Sequence, residues 1–302
     1  MSDWPSVGVV IPTHDRPAQV REAIASALSQ DYPGRVEVVV VFDQKPADAG
    51  LAQPGRVRVL ANDRKPGLAG ARNCGILALD ADLVAFCDDD DQWLPGKLSA
   101  QVPALRAIPQ AEFASCGIVV NFGNNSTVRL AGADLVSYGE LLRSRKVMVH
   151  SSTYLASRAA LVGGIGLLDE DIPGGQNEDW DLALRAARRH PIVNVDRPLV
   201  RVAWGAGSHY STQWETKALS LQWMLDRHSD IAADRVGAAR VYAQIAFAYA
   251  CLGRRRECLR WAGLAARRNW RERRVPFALA VASGAVSGER VLRVLHARGH
   301  GI

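Results

Sequence analysis

Leu83-Val84-Ala85-Phe86-Cys87-Asp88-Asp89-Asp90-Asp91 is an apolar strand that runs directly into four carboxylates. Like charges at a strand end repel one another unless a divalent cation or hydrogen-bond donors compensate them. The carboxyl ends of parallel strands are also where open α/β sheets bind ligands. Asp91 could instead cap the next helix, but capping uses one acid and not four. The Asp-rich calcium loop is a poor fit, because its Gly and distal Glu are missing at the proper offsets.

Outward from this stretch, apolar β-branched runs alternate with helix-like segments, which implies a mainly parallel sheet covered by helices on both faces. Val7 to Ile11 reads as the first strand, with Asp15 as a cap and Pro17 in the first turn of a helix that repeats Val20, Ile24, Ala27 and Leu28. Val36 to Phe42 has the continuous apolar character of a central strand. A short strand near Val57 to Leu60 and a helix near Ala69 to Ala78 follow, and a helix through Leu98, Val102 and Leu105 comes after Pro95. Phe113 to Phe122 and Ser152 to Ala156 read as added mixed or antiparallel strands, and Asn177 to Asp181 as a second acidic helix start. From Trp214 onward only helical periodicity remains, with Ala239 to Ala266 resembling one helical-hairpin unit and Gly253 as a helix stop. The expected organisation is a catalytic α/β domain over 1–213 and a basic α-helical region over 214–302.

Composition narrows the class. At 48% hydrophobic and 23% charged residues the 302-residue chain belongs among globular proteins, which excludes disordered and collagen-like classes. No apolar run reaches the roughly 18 residues of a membrane span, and Met1 to Pro5 carries no basic and apolar leader pattern. A cytoplasmic chain is expected, with peripheral contact at the inner face of the membrane as an option. The five cysteines form no CxxC pair and read as reduced, buried thiols. Residues 215–302 hold 16 Lys and Arg against 7 acids, a net +9, while residues 1–214 are at net −3. The basic segment suits an anionic surface, or is simply a solvated face on packing helices. Peripheral contact with anionic membrane is one option for it, and nucleic acid is not expected.

Three stretches, Val9-Val10-Ile11-Pro12-Thr13-His14-Asp15-Arg16, Ala71-Arg72-Asn73-Cys74-Gly75-Ile76 and Asp88 through Leu98, together resemble the family 2 glycosyltransferases of GT-A fold. The resemblance covers roughly residues 5 to 210, with its elements in the family's order. It implies a metal-dependent, inverting transfer of a sugar from a nucleotide-diphospho-sugar, UDP-sugar first and dTDP-sugar next, to a hydroxyl of a glycan, lipid-linked glycan or natural product, as in cell-envelope polysaccharide synthesis.

By the same resemblance Pro12, Thr13, Arg16 and Asp43 hold the nucleotide, Arg72 reaches the ribose or pyrophosphate, and Asp88 and Asp89 complete the donor site. Asp43 is chemically apt, since a carboxylate accepts the N3 hydrogen of uracil or thymine, although it could merely begin a turn. Arg72 could equally salt-bridge the Asp cluster without touching ligand. Asp90 is the expected ligand of Mg2+ or Mn2+, with His209 in the Trp204 to Ser211 loop as a second metal ligand or an exposed loop histidine; His14 and His150 have weaker cases. Asp179 is the expected base and Glu178 positions the acceptor, against the alternative of ordinary acidic bias in a first helical turn. Asp91 and Trp180 are assigned to the acceptor, while core packing is the other use for Trp93 and Trp180.

Competing enzyme classes lack their motifs: no GxGxxG follows the first strand, no GxxxxGK[ST] occurs, and no Gly-rich basic loop is present to grip a triphosphate. The reading of a different class is a non-catalytic protein of the same fold whose basic helices bind a partner, nucleic acid or membrane. It predicts eroded carboxylates, whereas Asp88, Asp90 and Asp179 are all present.

Overall fold

The computed structural model describes residues 4–123, 125–204 and 213–297. Its strands are β1 (Val7–Thr13), β2 (Val36–Phe42), β3 (Val57–Ala61), β4 (Leu83–Phe86), β5 (Gln92–Trp93), β6 (Phe113–Phe122), β7 (Asn125–Arg129), β8 (Leu135–Val136), β9 (Leu155–Ser157) and β10 (Ile192–Trp204). The helices over the body are α1 (Pro17–Leu28), α2 (Leu68–Ala78), α3 (Lys97–Arg106), α4 (Tyr138–Arg143), α5 (Arg158–Val162) and α6 (Glu178–Arg189). After β10 come α7 (Trp214–Arg227), α8 (Ser229–Ala233), α9 (Arg235–Cys251), α10 (Arg255–Arg268), α11 (Arg274–Ala282) and α12 (Gly288–Ala297).

One sheet runs in the order β3-β2-β1-β4-β9-β6-β10-β5, with β7 added to β6 and β8 to β10. The half from β3 to β4 is parallel throughout. Beyond it β9 runs antiparallel to both β4 and β6, while β10 is parallel to β6. Side chains of a strand alternate between faces, and here both faces are covered. Val9, Ile11, Val38 and Val40 join a core with Val20, Ile24, Leu98 and Val102 of α1 and α3. Val10, Val39 and Val41 join a second core with Ile76 of α2 and Leu182 of α6. That is why β2 shows an unbroken valine run. α2 lies so close to β1 that a Cβ on Gly75 would collide with the Val10 side chain.

The helices after β10 extend the second core: Ala218, Leu221, Met224, Val241 and Ile245 pack into the same cluster as Trp180. α6 is also stitched to them by polar contacts. Asp181, fully buried, accepts a hydrogen bond from Arg185 Nε at 2.9 Å and lies 2.8 Å from His228 Nε2, while Asn177 Nδ2 donates to Ser220 Oγ at 2.7 Å. α9 and α10 form the expected helical hairpin around Gly253, whose φ of 72° is the left-handed conformation of a helix stop.

Two local expectations are corrected. Asp15 does not cap α1: it sits at φ 59° and pairs with Lys45, and Arg16 occupies the cap position with Pro17 beginning the helix. The strand expected from Ser152 begins only at Leu155, because Ser151 to Thr153 form a 3-10 turn whose serine hydroxyls are drawn to Asp88 and Asp91.

Lys97, at the start of α3, is completely buried; its Nζ lies 3.9 Å from the centre of the Trp93 ring and has no hydrogen-bond partner. Burial pushes its ammonium down to about 8, against an ordinary value of 10.5. Below that window both folded and unfolded chains hold the proton; within it only the unfolded chain does, so stability rises with pH there. Lys97→Met keeps an apolar contact with the ring without the charge, and its urea midpoint is expected to lack the climb between about pH 8 and 10.5 that the native chain makes. An equal climb in both proteins would contradict this account.

Candidate active site

Because β1, β2 and β4 are adjacent and parallel, Thr13, Asp43 and the 88–91 carboxylates emerge at one edge of the sheet. At β1, Thr13 Oγ1 donates to Asp89 at 2.7 Å, and Arg16 Nη1 donates to Asp89 at 2.8 Å and Asp90 at 2.6 Å. Pro12 precedes them as a buried residue of β1. At β2, Asp43 accepts from Gln44 Nε2, the Gly67 backbone N–H and Asn62 Nδ2 at 2.8–3.0 Å. Burial opposes ionisation of that carboxyl, but these donors hold it below its ordinary value. His14 faces the Asp43 backbone carbonyl at 2.7 Å.

Arg72 joins the two acidic sites. It comes from α2, is 1% exposed, and donates through Nη2 to Asp88 and through Nη1 to Glu178, each at 2.5 Å. One buried guanidinium thus bridges the carboxylate loop after β4 and the first turn of α6. Glu178 and Asp179, the next residue on α6, differ sharply in surroundings. Burial, then the charge of Asp179, pushes Glu178 up to about 7 despite Arg72. Asp179 is equally buried, yet Arg145 Nη2 donates to both its oxygens at 2.6 and 2.7 Å and holds its carboxyl below the ordinary range. The Asp179 carboxylate also accepts the Trp180 backbone N–H at 2.7 Å.

The structure redistributes the expected metal and acceptor residues. Asp88, Asp91 and His150 are drawn together, with one potential ligand atom from each lying within 4.8 Å of the others. Two carboxylates and an imidazole suit a divalent ion such as Mn2+ or Mg2+. Asp90 stands apart from that trio on Arg16; burial, then Asp88, pushes its carboxyl up to about 6. His209 lies outside the described residues.

Asp91, assigned to the acceptor from the sequence, is turned into the body. It is buried, accepts from Ser152 Oγ at 2.5 Å and from the Ala203 N–H at 3.4 Å, and sits 3.6 Å from His150. Nor does Asp91 cap α3, whose cap position is Gly96. Trp180 is 1% exposed, donates to the Leu141 carbonyl and lies beneath Arg240, so it is a core residue with no face free to stack on a sugar. Trp93 is likewise buried and donates to the Ser152 carbonyl.

Sequence reasoning passed over Arg145, Ser151, Ser152 and Asn62 and ranked His150 low. For His150, Ser151 and Ser152 the signal is the polar run His150-Ser151-Ser152-Thr153 within an apolar body; Arg145 and Asn62 carry none. A hollow of about 560 Å³ among Trp4, Asp82, Leu105 and Pro109 lies where β4 begins, at the other end of the parallel strands from these groups.

The sequence model of the family described as Glycosyl transferase family 2 matches residues 8–159, half of the chain. The succinoglycan biosynthesis protein ExoO of Rhizobium meliloti (strain 1021) is 36% identical over 140 residues, 45% of this chain and 38% of that protein. WfaP of Escherichia coli, a UDP-Glc:alpha-D-GlcNAc-diphosphoundecaprenol beta-1,3-glucosyltransferase, is 29% identical over 100 residues, 32% of this chain and 39% of that protein. The chain therefore spans about two fifths of the length of these two relatives. The solved structure of Staphylococcus aureus TarS 1-349 with UDP-GlcNAc superimposes with a TM-score of 0.62 at 16% identity, covering 98% of this chain and 92% of that one. The mannosyltransferase PcManGT of Pyrobaculum calidifontis, with GDP-Man and Mn2+, gives 0.53 at 17% identity, covering 97% and 80%. These likenesses place the fold among GT-A transferases.

Removing Arg72 leaves Asp88 and Glu178 without their shared partner. Arg72→Met is expected to lower the unfolding free energy of the unliganded protein by about 3–5 kcal/mol, read by urea denaturation. Arg72→Lys recovers only part, since a single ammonium does not span two carboxylates as a planar fork does. A loss of under about 1 kcal/mol for Arg72→Met would mean that the bridge is not a structural one.

Proposed function

We propose a reaction for this chain, which belongs to glycosyl transferase family 2: inverting transfer of a sugar from a nucleotide-diphospho-sugar to an acceptor hydroxyl, carried by residues 1–213. UDP-sugar is the favoured donor and dTDP-sugar the next, with a glycan, lipid-linked glycan or natural product as acceptor. The observation that carries the reading is the Arg72 bridge, which brings the carboxylate loop after β4 and the acidic start of α6 into one site.

In this reaction Asp43 accepts the base N3–H, Pro12 and Thr13 border the nucleotide, and Arg16, Arg72, Asp88 and Asp89 line the ribose and diphosphate. A divalent cation, when bound, supplies positive charge to the departing diphosphate, and Asp88, Asp91 and His150, with Asp90 beside them, are the side chains that would hold it. Asp179 takes the acceptor proton as the acceptor oxygen bonds to the anomeric carbon. The bond to the donor phosphate breaks on the opposite face, and its electron pair leaves with the nucleoside diphosphate. An α-linked donor thus gives a β-glycoside.

The contrast between Asp179 and Glu178 supports their division of labour: two neighbouring carboxyls pushed in opposite directions suit a base and a proton-bearing positioning group. A base paired with Arg145 is a weak one, so Arg145 must withdraw from Asp179 for the transfer to occur.

Ligand that binds only the folded state raises its thermal midpoint. UDP with Mn2+ is expected to stabilise the native protein more than UDP, GDP or Mn2+ alone, and Asp90→Ala to reduce that gain. Asp179→Asn is expected to keep the nucleotide-dependent shift while lowering kcat by about 10²–10⁴-fold. If no nucleoside diphosphate stabilises the protein with or without metal, the donor assignment fails; full turnover by Asp179→Asn would remove the base assignment.

A further inference from the structure

Part of the surplus positive charge after β10 lies on the outward side of one helix. α10 buries Cys258, Ala262 and Ala265 against the rest of the helical region, so the opposite side faces solvent. At 3.6 residues per turn that side carries Arg256, Arg260, Gly263 and Arg267, flanked by Leu259. Leu259, Arg260, Gly263, Leu264 and Arg267 together line a shallow hollow of about 330 Å³ that contains no acidic residue. Glu257, the single acid of α10, is displaced by about 100° from Arg256 around the helix axis.

These arginines differ from several exposed arginines of the body. Arg21, Arg35, Arg188 and Arg189 each pair with a carboxylate. Among the described residues Arg255, Arg256, Arg260, Arg267, Arg268 and Arg273 have no carboxylate partner. Apolar side chains stand exposed among them: Leu259 is 59% exposed, and Trp270, just past the end of α10 and stacked with Arg271, is 73% exposed. A row of uncompensated cations interleaved with large exposed apolar groups is what an anionic bilayer surface complements, through lipid phosphates for the first and the headgroup boundary for the second. The inner side of α10 is already committed to the fold, so a partner that must enclose a helix is excluded and a surface that touches one side is favoured.

We propose that the outward face of α10, with Trp270, docks this protein on anionic phospholipid bilayers. The attachment is mainly electrostatic and reversible, with Leu259 and Trp270 as shallow apolar anchors. It does not depend on the reaction proposed above, since the face shares no residue with the carboxylate site.

The test is sedimentation of the full chain with vesicles of phosphatidylcholine alone and of phosphatidylcholine with phosphatidylglycerol. Binding is expected only with phosphatidylglycerol, and is expected to fall steeply as salt is raised to about 0.5 M. Each arginine at such a surface changes partitioning by about fivefold. Arg256→Gln, Arg260→Gln and Arg267→Gln combined should therefore weaken binding by about 100-fold at an unchanged thermal midpoint. The control combination Arg21→Gln, Arg35→Gln and Arg189→Gln removes the same charge elsewhere and should stay within about threefold of the native chain. Trp270→Ala should weaken binding without altering its salt dependence. No binding to phosphatidylglycerol vesicles, or equal losses in the two triple variants, would overturn the inference. So would retention on duplex DNA by a chain that ignores vesicles. Vesicle binding without any nucleotide-dependent stabilisation would leave this surface standing and remove only the transferase chemistry.

Discussion

The arrangement of the carboxyl edge depends on one guanidinium. Unit charges about 4 Å apart interact by about 4 kcal/mol at an effective dielectric constant near 20. Adjacent aspartates after β4 and a Glu-Asp pair on α6 would therefore force each other apart if left alone. Arg72 resolves this by lying between Asp88 and Glu178 at 1% exposure. Its own desolvation is opposed by those two anions, so each charge is tolerable only because the others are present. Arg16 and Arg145 repeat the device at the two ends, on Asp89 and Asp90 and on Asp179. A string of cation-anion contacts therefore runs from the end of β1 to the first turn of α6 before any ligand is added.

Much of this was legible in residue types and spacing. Continuous valines in β2 are the pattern expected of a strand buried on both faces, and an apolar strand followed by four acids is expected to end at a polar edge. The alternative in which Arg72 bridges acids describes the unliganded structure, and is compatible with contact to a ligand that displaces one of them. The misplaced residues share a cause. Trp180 and Asp91 adjoin the acidic motifs, but the helical and turn geometry that aims Asp179 at Arg145 turns their side chains onto Leu141 and Ser152. His150, Ser151 and Arg145 reach the site from a segment with no periodicity of its own, and only the folded chain brings Ser151 beside Asp88, 63 positions away, and Arg145 beside Asp179, 34 positions away. The bounds of β10 are illegible in the sequence for a related reason: Asp196, Arg197 and Pro198 interrupt its apolar pattern at the irregularity in its pairing with β6.

Charge is managed differently in the two regions of the chain. Around the sheet, surface arginines such as Arg35 and Arg189 find carboxylates; on α10 they do not, although Glu257 and Glu272 are near in sequence. Glu272 is taken by Arg274, and Glu257 lies round the helix from the row. Uncompensated charge of one sign on a packed helix slightly opposes folding through self-repulsion, so it is carried at a small cost in stability.

The clasp between α6 and the helices behind it ties the acidic pair to the region after β10. The family's common segment ends at 159, before α6 begins, and the last strand closes at Trp204. Asn177 and Asp181 nevertheless find their partners at Ser220 and His228, and Trp180 is covered by Arg240. A chain cut after β10 would keep every sheet residue and still leave a buried aspartate and an asparagine beside the acidic pair facing water or nothing. The helices that look like an appendage in the sequence are in this sense a foundation: their inner side completes the surroundings of the acidic pair.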